Sequence, residues 1–204
     1  KDNLLFDTGE DGPALLKNMQ ELGVDAKKLE ALVLSHDHWD HTGGLSRILK
    51  ERSGIPVWCA PGFSAATKQK IVDFGGELHE TPDAMEILPG VYISREFKGQ
   101  HKTEVIYEQC ILPHGEEGVS LFAGCAHPGI STMAEGSMDV LPDVSRHLCL
   151  GGFHLMDKSA EEISRIFNDI RKAGFSKIGA THCSGDTARK LSDLQLGAGS
   201  ILRV

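Results

Sequence analysis

Four residues within six positions, His36, His38, Asp40 and His41, carry the strongest chemical signal in the chain. They directly follow Ala31-Leu32-Val33-Leu34, an apolar run that reads as a buried strand. In an extended loop, residues i and i+2 point to the same side, so His36 and His38 reach one metal ion together. Asp40 and His41 lie where the chain turns into a helix and reach a second ion. Neutral imidazole with carboxylate suits zinc, iron or manganese, whereas magnesium and calcium prefer oxygen alone. Three more histidines, His127, His154 and His182, each stand just past an apolar strand. Strand ends in α/β architectures converge on one edge, where ligands bind. Taken singly, each would be an ordinary structural histidine. Beside the first cluster, all three become candidate ligands.

The elements that must position these residues follow from apolar spacing. Leu4-Leu5-Phe6 is a short strand stopped by Asp7-Thr8-Gly9. Pro13 opens a helix carrying Leu15, Met19 and Leu22, and Gly23 ends it. Thr42-Gly43-Gly44 opens another with Leu45, Ile48 and Leu49. Val57–Ala60 reads as a strand and Ser64–Phe74 as a helix. Met85–Leu88, Val91–Ser94, Val105–Leu112 and Val119–Ala123 read as an antiparallel meander. His147–Leu150 and Lys177–Ala180 are further strands. Ser159 and Glu162 form a capping box for a helix with Ile163, Ile166, Phe167 and Ile170. Asp186–Leu194 is a polar helix. Met133 and Met138 read as helix packing residues. Strand–loop–helix units mixed with a meander predict a layered α/β (α+β) fold, sheets inside and helices outside.

The chain has 204 residues and 22.1 kDa, which predicts one domain over 1–204. Its net charge of −8 argues against a nucleic-acid binder, which needs a basic stripe. No apolar run reaches the roughly 18 residues of a membrane span, and no secretory leader is visible. The first residue, Lys1, leads at once into a strand, so the front of the natural protein is expected to be missing. The 5 cysteines are widely spaced, with no C-x-x-C pair, and read as reduced thiols of a cytoplasmic protein.

The run His36 to His41 matches H-x-H-x-D-H, and with it the sequence resembles the metallo-β-lactamase superfamily. Asp7-Thr8-Gly9 is similar to that family's supporting turn beneath the metal loop. Leu34-Ser35-His36, Asp40-His41-Thr42-Gly43-Gly44-Leu45 and Glu108-Gln109-Cys110 resemble one branch, the metal-dependent hydrolases of the β-lactamase superfamily II. So do Gly124-Cys125-Ala126-His127-Pro128-Gly129-Ile130, Gly151-Gly152-Phe153-His154-Leu155 and His182-Cys183-Ser184-Gly185. The resemblance runs from Leu4 to about Gly185. It implies a four-layer αββα sandwich, here without its first strand or strands, and a binuclear site. It assigns His36, His38 and His127 to one metal, and Asp40, His41 and His182 to the other. Zinc is the expected ion, with iron or manganese as alternatives.

One departure concerns the second metal. The family's bridging Asp falls on the strand that here ends in Gly152-Phe153-His154. His154 then stands in as a terminal ligand or an acid/base, with Asp157 three residues on, and one-metal occupancy stays open beside two. The resemblance implies a hydrolase of a small phosphorylated or ester substrate, with Asp40 orienting the attacking water. The alternative is a transferase that joins a dihydropterin diphosphate to an aminobenzene ribofuranosyl phosphate and releases pyrophosphate. A third reading is a non-catalytic metal-holding sensor. Ser184 and Gly185, at a helix start, are candidates for a substrate phosphate, with a plain Ser184 helix cap as the alternative. Trp39 is either a stacking surface for a flat ring or a packing residue under the loop. Lys98, His101 and Lys102 read as a charged loop able to cover the site.

Overall fold

The computed structural model describes residues 3–203, which form two compact units that divide between Pro82 and Asp83. The first unit is a four-stranded sheet in the order β1-β2-β3-β4, all parallel. Its elements are β1 (Leu4–Phe6), α1 (Gly12–Glu21), β2 (Ala31–Val33), α2 (Trp39–Thr42), α3 (Leu45–Glu51), β3 (Pro56–Cys59), α4 (Ala65–Asp73) and β4 (Glu77–Glu80). β2 is interior to the sheet, pairing Leu5↔Leu32 on one side and Leu32↔Val57 on the other. A parallel strand is covered on both faces, which is why its residues are apolar without alternation. Leu32, Val33 and Leu34 are fully buried. Asp11 and Ser64 start α1 and α4, their side chains accepting from the Ala14 and Thr67 amides. The sequence did not suggest β4. It is an edge strand, and Glu77 and Glu80 leave it little apolar signal.

The second unit is a six-stranded sheet in the order β12-β11-β10-β9-β6-β5, plus a separate hairpin β7-β8. Its strands are β5 (Met85–Leu88), β6 (Val91–Ile93), β7 (Phe97–His101), β8 (Glu104–Glu108), β9 (Ile111–Gly115), β10 (Gly118–Ala123), β11 (Arg146–Gly152) and β12 (Lys177–Thr181). Its helices are α5 (Ile130–Gly136), α6 (Ala160–Lys172) and α7 (Gly185–Leu191). β10, β11 and β12 run parallel; β5, β6, β9 and β10 form the expected antiparallel ladder. Its core gathers Leu112, Leu121, Cys149, Phe153, Ile163, Phe167, Ile170 and Phe175. The Phe153 and Phe167 rings meet edge to face at 6.4 Å.

Four expectations are corrected here. Val105–Leu112 is two strands, because buried Glu108 turns its carboxylate to the Cys125–His127 amides and the chain leaves the hairpin there. Residues 97–101 are a strand rather than a loop: Phe97, Gly99 and His101 are covered while Lys98 and Gln100 are exposed. Met138 lies beyond α5 and is 41% exposed, so only Met133 packs. The last helix ends at Leu191, where Asp193 instead accepts from the Ile178 amide.

Candidate metal centre

The His36–His41 loop is built on the end of β2 and held from below by the turn after β1. Asp7 has a left-handed backbone, φ 62°, an uncommon state for a residue other than glycine and one that needs support from its surroundings. Its amide donates to Val33 O at 2.9 Å, and the Thr8 amide and hydroxyl both donate to His41 O. Gly44 completes the seat: a Cβ there would stand 2.4 Å from Thr8 O, so only glycine allows the approach. Asp37 ties the loop to α4, accepting from Ser64 N at 2.8 Å and Thr67 Oγ1 at 2.6 Å.

Hydrogen bonding fixes which ring nitrogens face outward. Ser35 Oγ donates to Asp7 Oδ2 at 2.7 Å. Its one proton is therefore spent, and toward His36 Nδ1, 2.9 Å away, it can only accept. Neutral His36 thus carries its proton on Nδ1 and presents a lone pair at Nε2. His41 Nδ1 lies 2.7 Å from Asp7 Oδ2, and a carboxylate only accepts, so His41 also presents Nε2. His36 Nε2 and His38 Nδ1 are 3.0 Å apart. Two nitrogens on one tetrahedral zinc stand about 3.3 Å apart. Asp40 Oδ2 is 3.6 Å from His41 Nε2. The donor set and its spacing fit a divalent cation, and Asp7 and Ser35 are the outer partners that orient such ligands. Trp39, beside them on α2, is 71% exposed; it does not pack under the loop.

The second unit brings His127 and His154 together, their rings 4.8 Å apart. Both also meet His101 from β7, at 5.2 Å each. His127 is aimed by Glu108, whose buried carboxylate accepts from the Cys125, Ala126 and His127 amides at 2.8–2.9 Å. Ala126, His154 and His182 all have left-handed φ, at 55°, 51° and 47°. Strained backbone at two candidate residues and just before a third, His127, is the pattern expected of functional loops. His182 is exposed, past the end of β12. Asp157 is exposed in a turn beyond His154.

Ser184 is fully buried and makes no side-chain cap to α7. Its hydroxyl accepts from Phe153 N at 2.9 Å and faces Gly151 O, so it fastens the end of β11. The helix-cap reading of Ser184 is therefore corrected. Gly185, with φ 79°, opens α7 half-buried.

The sequence motifs contained Cys125, Cys183, Glu108 and Ser35 without giving them a role, Asp37 was passed over, and His101 was taken only as part of a loop. The two cysteines were visible inside the motifs around His127 and His182. Cys183 is pulled down to about 5, first by the hydrogen bond with Cys125, against burial, with help from His154 and the His182 charge. Cys110 and Cys149 go the other way, burial pushing Cys110 up to about 12 and Cys149 well above its usual value. No disulfide joins any of the 5 cysteines among the described residues. No helix among the described residues is long and apolar enough to cross a membrane.

The 7,8-dihydropterin-6-methyl-4-(β-D-ribofuranosyl)-aminobenzene-5′-phosphate synthase of Methanocaldococcus jannaschii is 29% identical, over 94% of this chain and 78% of its own length. Among solved structures, Tm1679, a metal-dependent hydrolase of the β-lactamase superfamily, superposes with a TM-score of 0.74 at 23% identity, covering 93% of this chain and 81% of that one. YhfI of Bacillus subtilis, a metallo-β-lactamase fold protein, gives 0.57 at 16%, covering 87% and 83%. These likenesses establish the metallo-β-lactamase fold. The sequence model of that superfamily matches residues 1–153. The chain belongs to the metallo-β-lactamase superfamily.

Proposed function

We propose that the chain is a metal-dependent hydrolase of a small phosphorylated or ester substrate. The observation that carries this reading is the Asp7–Ser35 network, which sets both His36 and His41 with Nε2 presented for a cation. His36, His38 and His127 would hold one ion and Asp40, His41 and His182 the other, as the family pattern implies, zinc being the expected metal. His154 serves in place of the family's bridging carboxylate, as a ligand or an acid/base. Such ions, when bound, acidify water and polarise a phosphoryl or carbonyl oxygen. The chain's own residues do the rest. Asp40, with a partly exposed carboxylate, orients the attacking water and accepts its proton. Asp7 keeps the His41 proton on Nδ1 throughout. Trp39 offers an exposed ring face for a flat substrate.

The synthase of Methanocaldococcus jannaschii favours a second reading, a pyrophosphate-releasing transferase. There the site would position a diphosphate and an aromatic acceptor, and Asp40 would have no water to serve. Metal analysis tests the shared part of both readings. Wild type is expected to hold about two ions per chain, and Asp40→Ala to fall towards one. No metal after soaking in zinc or manganese would overturn both. With metal in place, turnover of generic phosphoesters supports the hydrolase. Pyrophosphate release that requires an aromatic amine supports the transferase.

A further inference from the structure

Cys125, His154 and Cys183 come together at the ends of β10, β11 and β12, within the second unit. Their ligand atoms, two Sγ and one imidazole nitrogen, all lie within 4.8 Å of one another. Both cysteines are buried, Cys125 4% and Cys183 9% exposed. His154 Nδ1 is buried and has no hydrogen-bond partner among the described residues. A buried imidazole nitrogen without a partner costs free energy, and two sulfurs are its neighbours. Three features hold the cluster in place. The Glu108 carboxylate accepts from the Cys125 amide at 2.9 Å. The left-handed φ of His154 turns its ring off the strand line. Gly152 is bare where Cys183 packs, for a Cβ there would stand 2.9 Å from Cys183 Sγ.

We propose that Cys125, His154 and Cys183 form a thiolate-containing metal site for a soft or borderline cation such as zinc. Thiolate with imidazole is a zinc donor set, and sulfur selects against manganese and magnesium. Two sulfurs on one tetrahedral zinc stand roughly 3.8 Å apart, so small side-chain rotations close this cluster. Both sulfurs bind as thiolates, so binding releases the thiol protons still held, and three protein ligands leave a fourth position open. The site uses none of His36, His38, Asp40, His41, His127 or His182. It shares His154 with the proposed hydrolytic centre, and where it forms, His154 is its ligand and not the stand-in for the bridging carboxylate.

X-ray absorption at the zinc edge on the zinc-loaded full chain tests this without any variant. A sulfur shell at about 2.3 Å is expected, and a shell of nitrogen and oxygen alone would overturn the proposal. The sulfur shell is expected to persist in His36→Ala/His38→Ala and to vanish in Cys125→Ser/Cys183→Ser. Iodoacetamide mapping by mass spectrometry identifies the sulfurs: zinc should shield Cys125 and Cys183 specifically. Equal labelling of both with and without zinc would overturn the site, as would a Cys125–Cys183 disulfide in the zinc-treated protein. A nitrogen and oxygen shell together with two ions per chain would sink this site and leave the hydrolytic reading standing. A sulfur shell with an Asp40→Ala metal content equal to wild type would do the reverse.

Discussion

Asp7 accepts three hydrogen bonds in the first unit, from Ser35 N, Ser35 Oγ and His41 Nδ1, each at 2.7 Å. An amide cannot take its place, because its NH2 would face a donor on one side or the other. Asp7→Asn should therefore release His41 from its fixed tautomer while leaving every direct ligand present. Loss of such an orienting partner typically costs about 10–100-fold in metal affinity. Competition for zinc against a chromophoric chelator measures it, and an affinity equal to wild type would remove Asp7 from this role. The candidate ligands stood out in the sequence, because imidazoles at short spacing after an apolar strand are rare by chance. The roles of Ser35, Asp37 and Glu108 did not. Serines and carboxylates stand everywhere on a protein surface, and only the fold reveals that Glu108 is buried against three amides. Trp39 carried the opposite ambiguity, since its size suits packing and stacking alike, and here exposure decides between them.

Elements with strong local signals were legible to within a residue or two. α6 is the best case: Ser159 accepts from Glu162 N, and Glu162 accepts from Ser159 N in return. Ser159→Ala should cost about 1 kcal/mol, read as a lower urea midpoint. The acid limb gives an independent check. Hydrogen bonds from Ser159 hold the Glu162 carboxyl below its usual value, with Lys158 adding a little. A lowered folded value means stability present above the unfolded pKa, about 4.3, and lost as pH falls through the folded one. The gap between wild type and Glu162→Ala should therefore narrow below about pH 4. A gap that stays constant to pH 2 would show that the carboxylate charge has no part in the cap. The β7–β8 hairpin was illegible for a physical reason. Its first strand, Phe97-Lys98-Gly99-Gln100-His101, has one large apolar residue and a glycine, so period-2 burial cannot be read from hydropathy. The covered position that matters is His101, which reads as polar and yet meets His127 and His154.

For the whole molecule, the layered α/β class followed from alternating strands and helices, and the antiparallel ladder of β5, β6, β9 and β10 from the meander pattern. The separate β7–β8 hairpin between β6 and β9 did not. The cysteines show how the core feeds back on bulk behaviour. Cys110 and Cys149 share the core of the second unit, where burial raises Cys110 to about 12 and Cys149 well above its ordinary value. In the unfolded chain a thiol ionises near 8.5, at about the value of a free cysteine. Between that value and the raised one, the folded protein keeps protons that the unfolded chain has released. Stability contributed this way is fully present below about pH 8.5 and falls as pH rises towards the folded value. Thermal melting should therefore be level up to about pH 8 and decline steeply above it. Cys110→Ala/Cys149→Ala should start from a lower midpoint, because removing each sulfur leaves a small void, yet decline less. The slope separates the two effects, since a void lowers stability equally at every pH and a buried thiol does so only where its unfolded form ionises. An alkaline decline as steep in the double variant as in wild type would place its origin in other groups.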